Sequence, residues 1–259
     1  MRFCMQCIKT KILLTAVVFG AFSLPFKLQA ENSYFGPVKS DDYLSGKFKP
    51  HSHVHFSELG KMGIPTGKRK QFLRSEAAEA LLEMYSAFHK EHPDVPFWVQ
   101  SSTRNYWDQK NIWEKKWNGQ TKVGGRKLNV SIPDSRKRAL KILEFSSMPG
   151  TSRHHWGTDF DLNELYNSYY EKGKGALLFL WLEKNAEKFG FCRPYTSGRN
   201  SGYSEEKWHW SYRPLSSRFL ILWNNEFKKN TLNISGFAGG ENAQDLATIY
   251  VNSISSDCK

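Results

Sequence analysis

Residues 151–161 read Thr-Ser-Arg-His-His-Trp-Gly-Thr-Asp-Phe-Asp, or TSRHHWGTDFD, with two histidines and two acids placed around a single glycine. If the run after Gly157 is a strand, period-two alternation puts Asp159 and Asp161 on one face and Thr158 and Phe160 on the other. Gly157 lets the chain turn in from His154. An imidazole and a carboxylate can then converge. A catalytic zinc commonly takes three protein ligands from His, Asp, Glu or Cys plus a water, so a third ligand has to come from elsewhere.

His209, in the stretch SEEKWHWSY at 204–212, is the outstanding candidate. His89 and His92 fall on a predicted helix whose charged residues suggest solvent. Glu206 precedes His209 by three positions. In a regular strand that odd spacing sends the two side chains to opposite faces. A shared site therefore requires a bulge, or a strand that begins only after Glu206. His155, as the neighbour of His154, is expected to point away from it, into packing or a rim. E-x-x-H and H-x6-D are each weak signals alone, and each also reads as an ordinary polar contact.

Working outward, the first thirty residues have a basic start (Arg2, Lys9, Lys11), an apolar run from Ile12 to about Pro25, and LQA before Glu31. The run is short for a span of roughly 20 residues and reads as a cleaved secretory signal. An uncleaved membrane anchor is the alternative. Setting the segment aside removes four basic residues and no acids, so the net charge falls from +12 to +8. The surplus favours anionic partners: nucleic acid, a membrane surface or an acidic wall polymer. Export makes nucleic acid the least suited of these. Cys4 and Cys7 lie within the signal, which leaves Cys192 and Cys258 either paired in an oxidising compartment or as two free thiols.

With no internal repeat or low-complexity linker, the rest reads as one domain with extensions. Residues 31–70 form an irregular N-terminal extension, 71–230 the main domain and 231–259 a C-terminal extension. His51, His53 and His55 share a face if extended, either to bind a metal or as a histidine-rich surface loop. The run 75–93 predicts a helix with Ser75 as candidate N-cap and Pro93 closing it. Strands are expected near 96–102, 157–163 and 206–212, and helices over 104–117, 135–145, 175–190 and 214–227. Trp107, Trp113 and Trp117 on the second helix line either a glycan-facing groove or the core. Helices mixed with a few short strands make an α+β fold.

Ser152, His154, Gly157 and Asp161 match S-x-H-x-x-G-x-A-x-D, and Glu206, Trp208 and His209 match E-x-W-H. Ser101, Arg104 and Gln109 add S-x-x-R with a Gln five residues after the Arg. Over about residues 75–215 the chain thereby resembles the VanY-like D-alanyl-D-alanine carboxypeptidases. Asp159 departs from the pattern, standing where a small residue is usual, either behind a ligating histidine or as a rival ligand to Asp161.

The resemblance implies a Hedgehog/D-Ala-D-Ala peptidase-like fold, a small mainly antiparallel sheet flanked by helices. It implies Zn²⁺ on His154, Asp161 and His209, Glu206 as general base, and Arg104, Gln109 and Ser152 toward the substrate. The implied partners are peptidoglycan stem peptides, without nucleic acid or stable membrane insertion after signal cleavage. The implied activity is a D,D- or L,D-carboxypeptidase, exported to the periplasm or secreted. A peptidoglycan endopeptidase, or a non-catalytic cationic wall-binding protein with structural zinc, are the alternatives. The scissile bond, stem-peptide length and oligomeric state stay open.

Overall fold

The computed structural model describes residues 34–67, 69–232 and 234–259. The leader expected at 1–30 lies outside the described residues. Phe35–Lys259 forms one compact unit. Among the described residues no helix is long and apolar enough to cross a membrane.

In chain order the elements are α1 (Ser40–Leu44), β1 (Phe56–Glu58), β2 (Phe72–Arg74), α2 (Ser75–Glu91), β3 (Val99–Ser101), α3 (Tyr106–Trp117), α4 (Leu128–Ser131) and α5 (Ser135–Leu143). Then follow β4 (Asp159–Leu162), α6 (Gly173–Asn185), β5 (Phe191–Cys192), β6 (His209–Tyr212), α7 (Arg213–Lys228) and α8 (Ala247–Asn252). β1 and β2 pair as a hairpin-sized sheet, while the other four strands lie in the order β3-β4-β6-β5. Every pair in the larger sheet is antiparallel. The expected α+β arrangement of helices around a small antiparallel sheet is the one observed.

Helix α2 supplies most of one side of the core. Ala77, Ala78, Leu81, Met84 and Phe88 recur at helical period and pack with Val99, Phe160, Leu162 and Trp210 of the sheet. Ser75 is not its N-cap: Arg74 holds that position, Ser75 is the first helical residue, and its hydroxyl bonds Ser57 Oγ at 2.9 Å. Helix α3 has a cap the pattern reading missed. Asn105 accepts from the Asp108 backbone and the Asp108 carboxylate accepts from the Asn105 N–H, a capping box that fixes where the helix begins. The tryptophans of α3 divide, with Trp113 and Trp117 buried and Trp107 exposed.

Both flanks of the domain are tied to its centre, one to the 3₁₀ turn before β4 and the other to β5. In the N-terminal part Tyr43 donates its hydroxyl to the Trp156 carbonyl at 3.0 Å, and Trp156 Nε1 donates to the Leu44 carbonyl at 3.2 Å. The 51–55 histidines are not a metal face. His53 is buried against Tyr43, Phe48 and Phe56 with Nε2 bonded to the Phe35 carbonyl at 2.9 Å, while His51 is exposed. At the other end Cys192 and Cys258 are joined in a disulfide, fastening the C-terminal tail to β5.

Candidate active site and metal centre

The sheet register brings the distant motifs together. Asp161 on β4 pairs with His209 on β6, and Ser101 at the end of β3 pairs with Asp161 from the other side. His154 arrives on a single 3₁₀ turn (Arg153–Trp156) that Gly157 closes at φ +76°. A Cβ there would meet Phe56 Cε1 at 2.4 Å, so both the dihedral and the space demand glycine. The turn is zipped to the segment after β3: His154 Nδ1 donates to the Ser102 carbonyl at 2.7 Å, and Arg104 N–H donates to the His154 carbonyl at 3.1 Å.

His154, Asp161 and His209 each offer one ligand atom, and these atoms lie within 4.8 Å of one another. Among the described residues no other such three-ligand group occurs. All three side chains are buried. The donor set fits a divalent ion such as zinc. His154 has its Nδ1–H committed to a carbonyl, leaving Nε2 bare, 3.4 Å from Asp161 Oδ2. Burial, aided by the Arg104 charge, lowers its pKa and keeps it a neutral ligand. Asp161 Oδ1 is buried and accepts no hydrogen bond, although His209 Nδ1 stands 3.1 Å away. An orphaned oxygen on a buried carboxylate set between two imidazoles fits an ion site.

His209 is gripped from behind by Asp159, whose Oδ2 lies 2.9 Å from Nε2. The same carboxylate takes Arg153 Nε at 2.9 Å, Ser211 Oγ at 2.8 Å and Thr158 Oγ1 at 2.7 Å. Asp159 thus stands behind the His209 imidazole and is not in the three-ligand group, the placement that a supporting role would have. Burial would raise its pKa, but Arg153 and His209 outweigh that and hold it below the usual carboxylate range. Burial would likewise lower the pKa of His209, but the hydrogen bond to Asp159 and the nearby carboxylates of Asp161 and Glu206 outweigh it and raise it well above the ordinary imidazole value. Three carboxylates around one ring demand a cation, either a proton or a metal.

Glu206 lies in the turn before β6, which begins only at His209. Its N–H donates to the Tyr195 carbonyl at 3.0 Å and its carbonyl accepts from His209 N at 3.4 Å, which folds the carboxylate back to the ligand side. Oε2 lies 3.4 Å from His209 Nδ1. This resolves the odd spacing: the strand starts late. Burial raises the Glu206 pKa, with His209 pulling against it.

Arg104 is aimed by two side chains, donating Nε to Gln109 Oε1 at 3.1 Å and Nη1 to Ser101 Oγ at 2.8 Å, and Nη1 reaches Asp161 Oδ2 at 3.4 Å. Gln109 is itself held by the Ser147 carbonyl at 2.7 Å, so it orients Arg104. A cavity of about 480 Å³ is lined by Arg104, Gln109, His154, Asp161, Glu206 and His209, together with Lys116, Tyr195 and Tyr203. Ser152 does not line it. Its hydroxyl is buried without a hydrogen-bond partner among the described residues. His155 turns away from His154 as expected, donating Nδ1–H to the Arg104 carbonyl at 2.7 Å and accepting from Gly150 N at 3.0 Å. Burial takes its pKa down to about 3, which keeps that tautomer neutral.

The model of one family, VanY: D-alanyl-D-alanine carboxypeptidase, matches residues 70–215, more than half of the chain and all of the site. The chain belongs to the VanY family. Among curated relatives, YodJ of Bacillus subtilis (strain 168) is 30% identical over 200 residues, covering 71% of this chain and 62% of that protein. A D-alanyl-D-alanine carboxypeptidase of Enterococcus faecalis (strain ATCC 700802 / V583) is 34% identical over 68 residues, 26% of this chain and 24% of that one. The chain therefore spans less than two thirds of either relative. Solved structures of the VanY kind are similar at a distance. VanYB in complex with D-alanine-D-alanine has a TM-score of 0.46 at 22% identity, covering 66% of this chain and 89% of that one. The LdcB LD-carboxypeptidase has a TM-score of 0.48 at 21% identity, covering 77% and 80%. These likenesses are too remote to speak for the site.

Three contributors escaped the motif reading. Arg153 sits between two motif positions, Tyr195 belongs to no pattern, and Lys116 is one of three lysines on α3. No spacing in the chain marks them.

Proposed function

We propose that this VanY-family chain is a zinc-dependent carboxypeptidase that removes the terminal D-amino acid from peptidoglycan stem peptides, cutting a D,D or L,D bond. In this reading residues 71–230 are the peptidase domain, 31–70 and 231–259 are extensions, and the enzyme works outside the cytoplasm after losing the segment 1–30.

His154 through Nε2, Asp161 through its carboxylate and His209 through Nδ1 would hold the Zn²⁺. When bound, the ion supplies Lewis-acid chemistry, lowering the pKa of a water and polarising the scissile carbonyl. Glu206 takes the proton from the attacking water and returns it to the leaving amine. Its burial suits this, because a carboxylate with a raised pKa holds a proton more readily near neutral pH. Arg104, held in orientation by Ser101 and Gln109, presents a guanidinium fork to the terminal carboxylate of the substrate. Asp159 keeps Nε2 of His209 occupied so that Nδ1 faces the ion site. Ser152 carries no support for a direct substrate contact, since its hydroxyl is not on the cavity wall.

The observation that carries the reading is Glu206, a buried carboxylate that borders the three-ligand group inside a cavity without belonging to it. A structural zinc closes its fourth position and needs no base. Glu206→Gln should retain stoichiometric zinc, read by metal analysis, and lose hydrolysis of a stem pentapeptide or tetrapeptide, read by mass spectrometry of the products. Continued turnover by a zinc-loaded Glu206→Gln protein would remove the mechanism. Severed cross-links in place of a released terminal residue would make the protein an endopeptidase.

A further inference from the structure

The cavity holds a second cation. On α3 the residues Gln109, Ile112 and Lys116 follow one another at i, i+3 and i+7, so one stripe of the helix lines the cavity wall from the Arg104 end to Lys116. Lys116 donates Nζ to Ser146 Oγ, a neutral hydroxyl on the same wall. Among the described residues it has no carboxylate within ion-pair distance. The other lysines nearby behave as surface lysines do: Lys110 pairs with Glu114, and Lys115 is exposed. Burial and the charge of Arg104 lower the pKa of Lys116, and Glu206 partly offsets them.

Lys116 is partly buried on the cavity wall, where an ammonium without a counter-charge favours a ligand that supplies one. The carboxylates already in the cavity do not. Asp161 is committed to His154, His209 and Arg104, and Glu206 lies against His209. Arg104 alone suffices for one terminal carboxylate.

We infer that Lys116 is a specificity residue, which binds a second carboxylate carried by the peptide on the residue before the scissile bond. This rests on the peptidase reading above and deepens it: the preferred substrates are peptides with two anionic groups near their C-terminus. Distance agrees. From Gln109, which holds Arg104, to Lys116 is seven residues of helix, about 10 Å along the axis. One peptide residue spans about 3.3–3.6 Å, so a carboxylate at the end of a long side chain on the penultimate residue reaches that far. Neutral or amine-bearing side chains at that position leave the ammonium unmatched or repelled.

The test uses two peptides of equal length with the same terminal D-alanine, differing only in whether the penultimate side chain ends in a carboxylate or in its carboxamide. A carboxamide can still accept from the ammonium but lacks the opposite charge that roughly doubles such a bond, so the zinc-loaded wild-type protein should favour the carboxylate by about 10-fold in kcat/KM. Lys116→Met should bring that ratio close to one, and Lys116→Arg should keep most of it. A wild-type ratio near one overturns the inference. So does a Lys116→Met protein that slows both peptides equally and keeps the ratio. If the wild type cleaves neither peptide, it is the peptidase reading that fails. Calorimetric binding of the same two peptides then decides on Lys116, with equal affinities in wild type and Lys116→Met counting against it.

Discussion

Replacing Asp159 with asparagine separates the two tasks assigned to one buried carboxylate. The side chain is fully buried, and so is Arg153, its 2.9 Å partner, so the substitution leaves a guanidinium without a counter-charge in the interior. Breaking a buried pair by removing one member costs about 3–5 kcal/mol. For a chain of this size each kcal/mol moves the unfolding midpoint by about 2–4 °C, which predicts a fall of about 6–20 °C in the metal-free protein. Independently, the amide no longer holds Nε2 of His209 as a carboxylate does. Loss of such a support behind a ligating histidine typically weakens metal binding by about 10–100-fold. Thermal unfolding in excess chelator reads the first effect and competition with a chromophoric zinc chelator reads the second. The double variant Arg153→Met, Asp159→Asn tells them apart, because it removes the stranded charge and should regain stability without regaining zinc affinity. An Asp159→Asn protein that unfolds within a degree of wild type and binds zinc within twofold would refute the assignment of Asp159 to both roles.

Four further outcomes follow from the geometry. Cys192→Ser opens a link across 66 residues and should lower stability by about 2–4 kcal/mol in denaturant titration, an effect that reductant reproduces in wild type. Leu81→Ala, at a site with no exposure in the main core, should cost about 2–5 kcal/mol while leaving zinc stoichiometry intact in the folded protein. Gly157→Ala forces a methyl against Phe56 at a left-handed dihedral, so strain of about 1–3 kcal/mol should appear together with weaker zinc binding, since the same turn carries His154. Burial lowers the pKa of His53 below 6.5 in the folded state, so as pH falls beneath 6.5 the unfolded chain takes up a proton before the folded one does. Stability should therefore drop with acidification in that window, and His53→Gln should show a shallower drop between pH 7 and 5.

Much of the site was legible because it is written in residue types with few other uses. Neither H-x6-D nor E-x-x-H says much alone, but together they single out His154, Asp161, His209 and Glu206, which the fold brings to one place. The helix over 75–93 was legible for the same reason, as its apolar period is long. Its N-terminus was misjudged because Ser75 is drawn to Ser57 on the neighbouring β1, a tertiary contact that local capping chemistry does not contain. Gln109 lines the cavity and also orients Arg104, a second task set by its hold on the Ser147 carbonyl, which no motif contains. Ser152 matched a motif yet is buried away from the cavity wall, which no one-dimensional pattern distinguishes.

The pairing of β4 with β6 explains why Asp161 and His209 sit on strands while Glu206 does not. Residues two apart on a strand share a face, so the register that sets Asp161 beside His209 also sets Asp159 beside Ser211. One face of two strands thereby carries both the ligand atoms and the polar network that aims them, and no residue can slip by one without sending every one of these side chains to the opposite face. Glu206 cannot belong to that register, because at three positions from His209 it would point to the wrong side. It sits instead in the turn that Tyr195 anchors through its carbonyl, where the carboxylate meets the ligand group from the flank. The three-ligand group is thus as rigid as the sheet, while the placement of Glu206 depends on the 195–206 segment. That segment is tied in turn to the C-terminal tail, with Arg199 Nη1 donating to the Ser253 carbonyl at 2.6 Å and Ser255 N–H donating to the Pro194 carbonyl at 2.8 Å. Loosening the tail should accordingly impair turnover before it impairs metal binding.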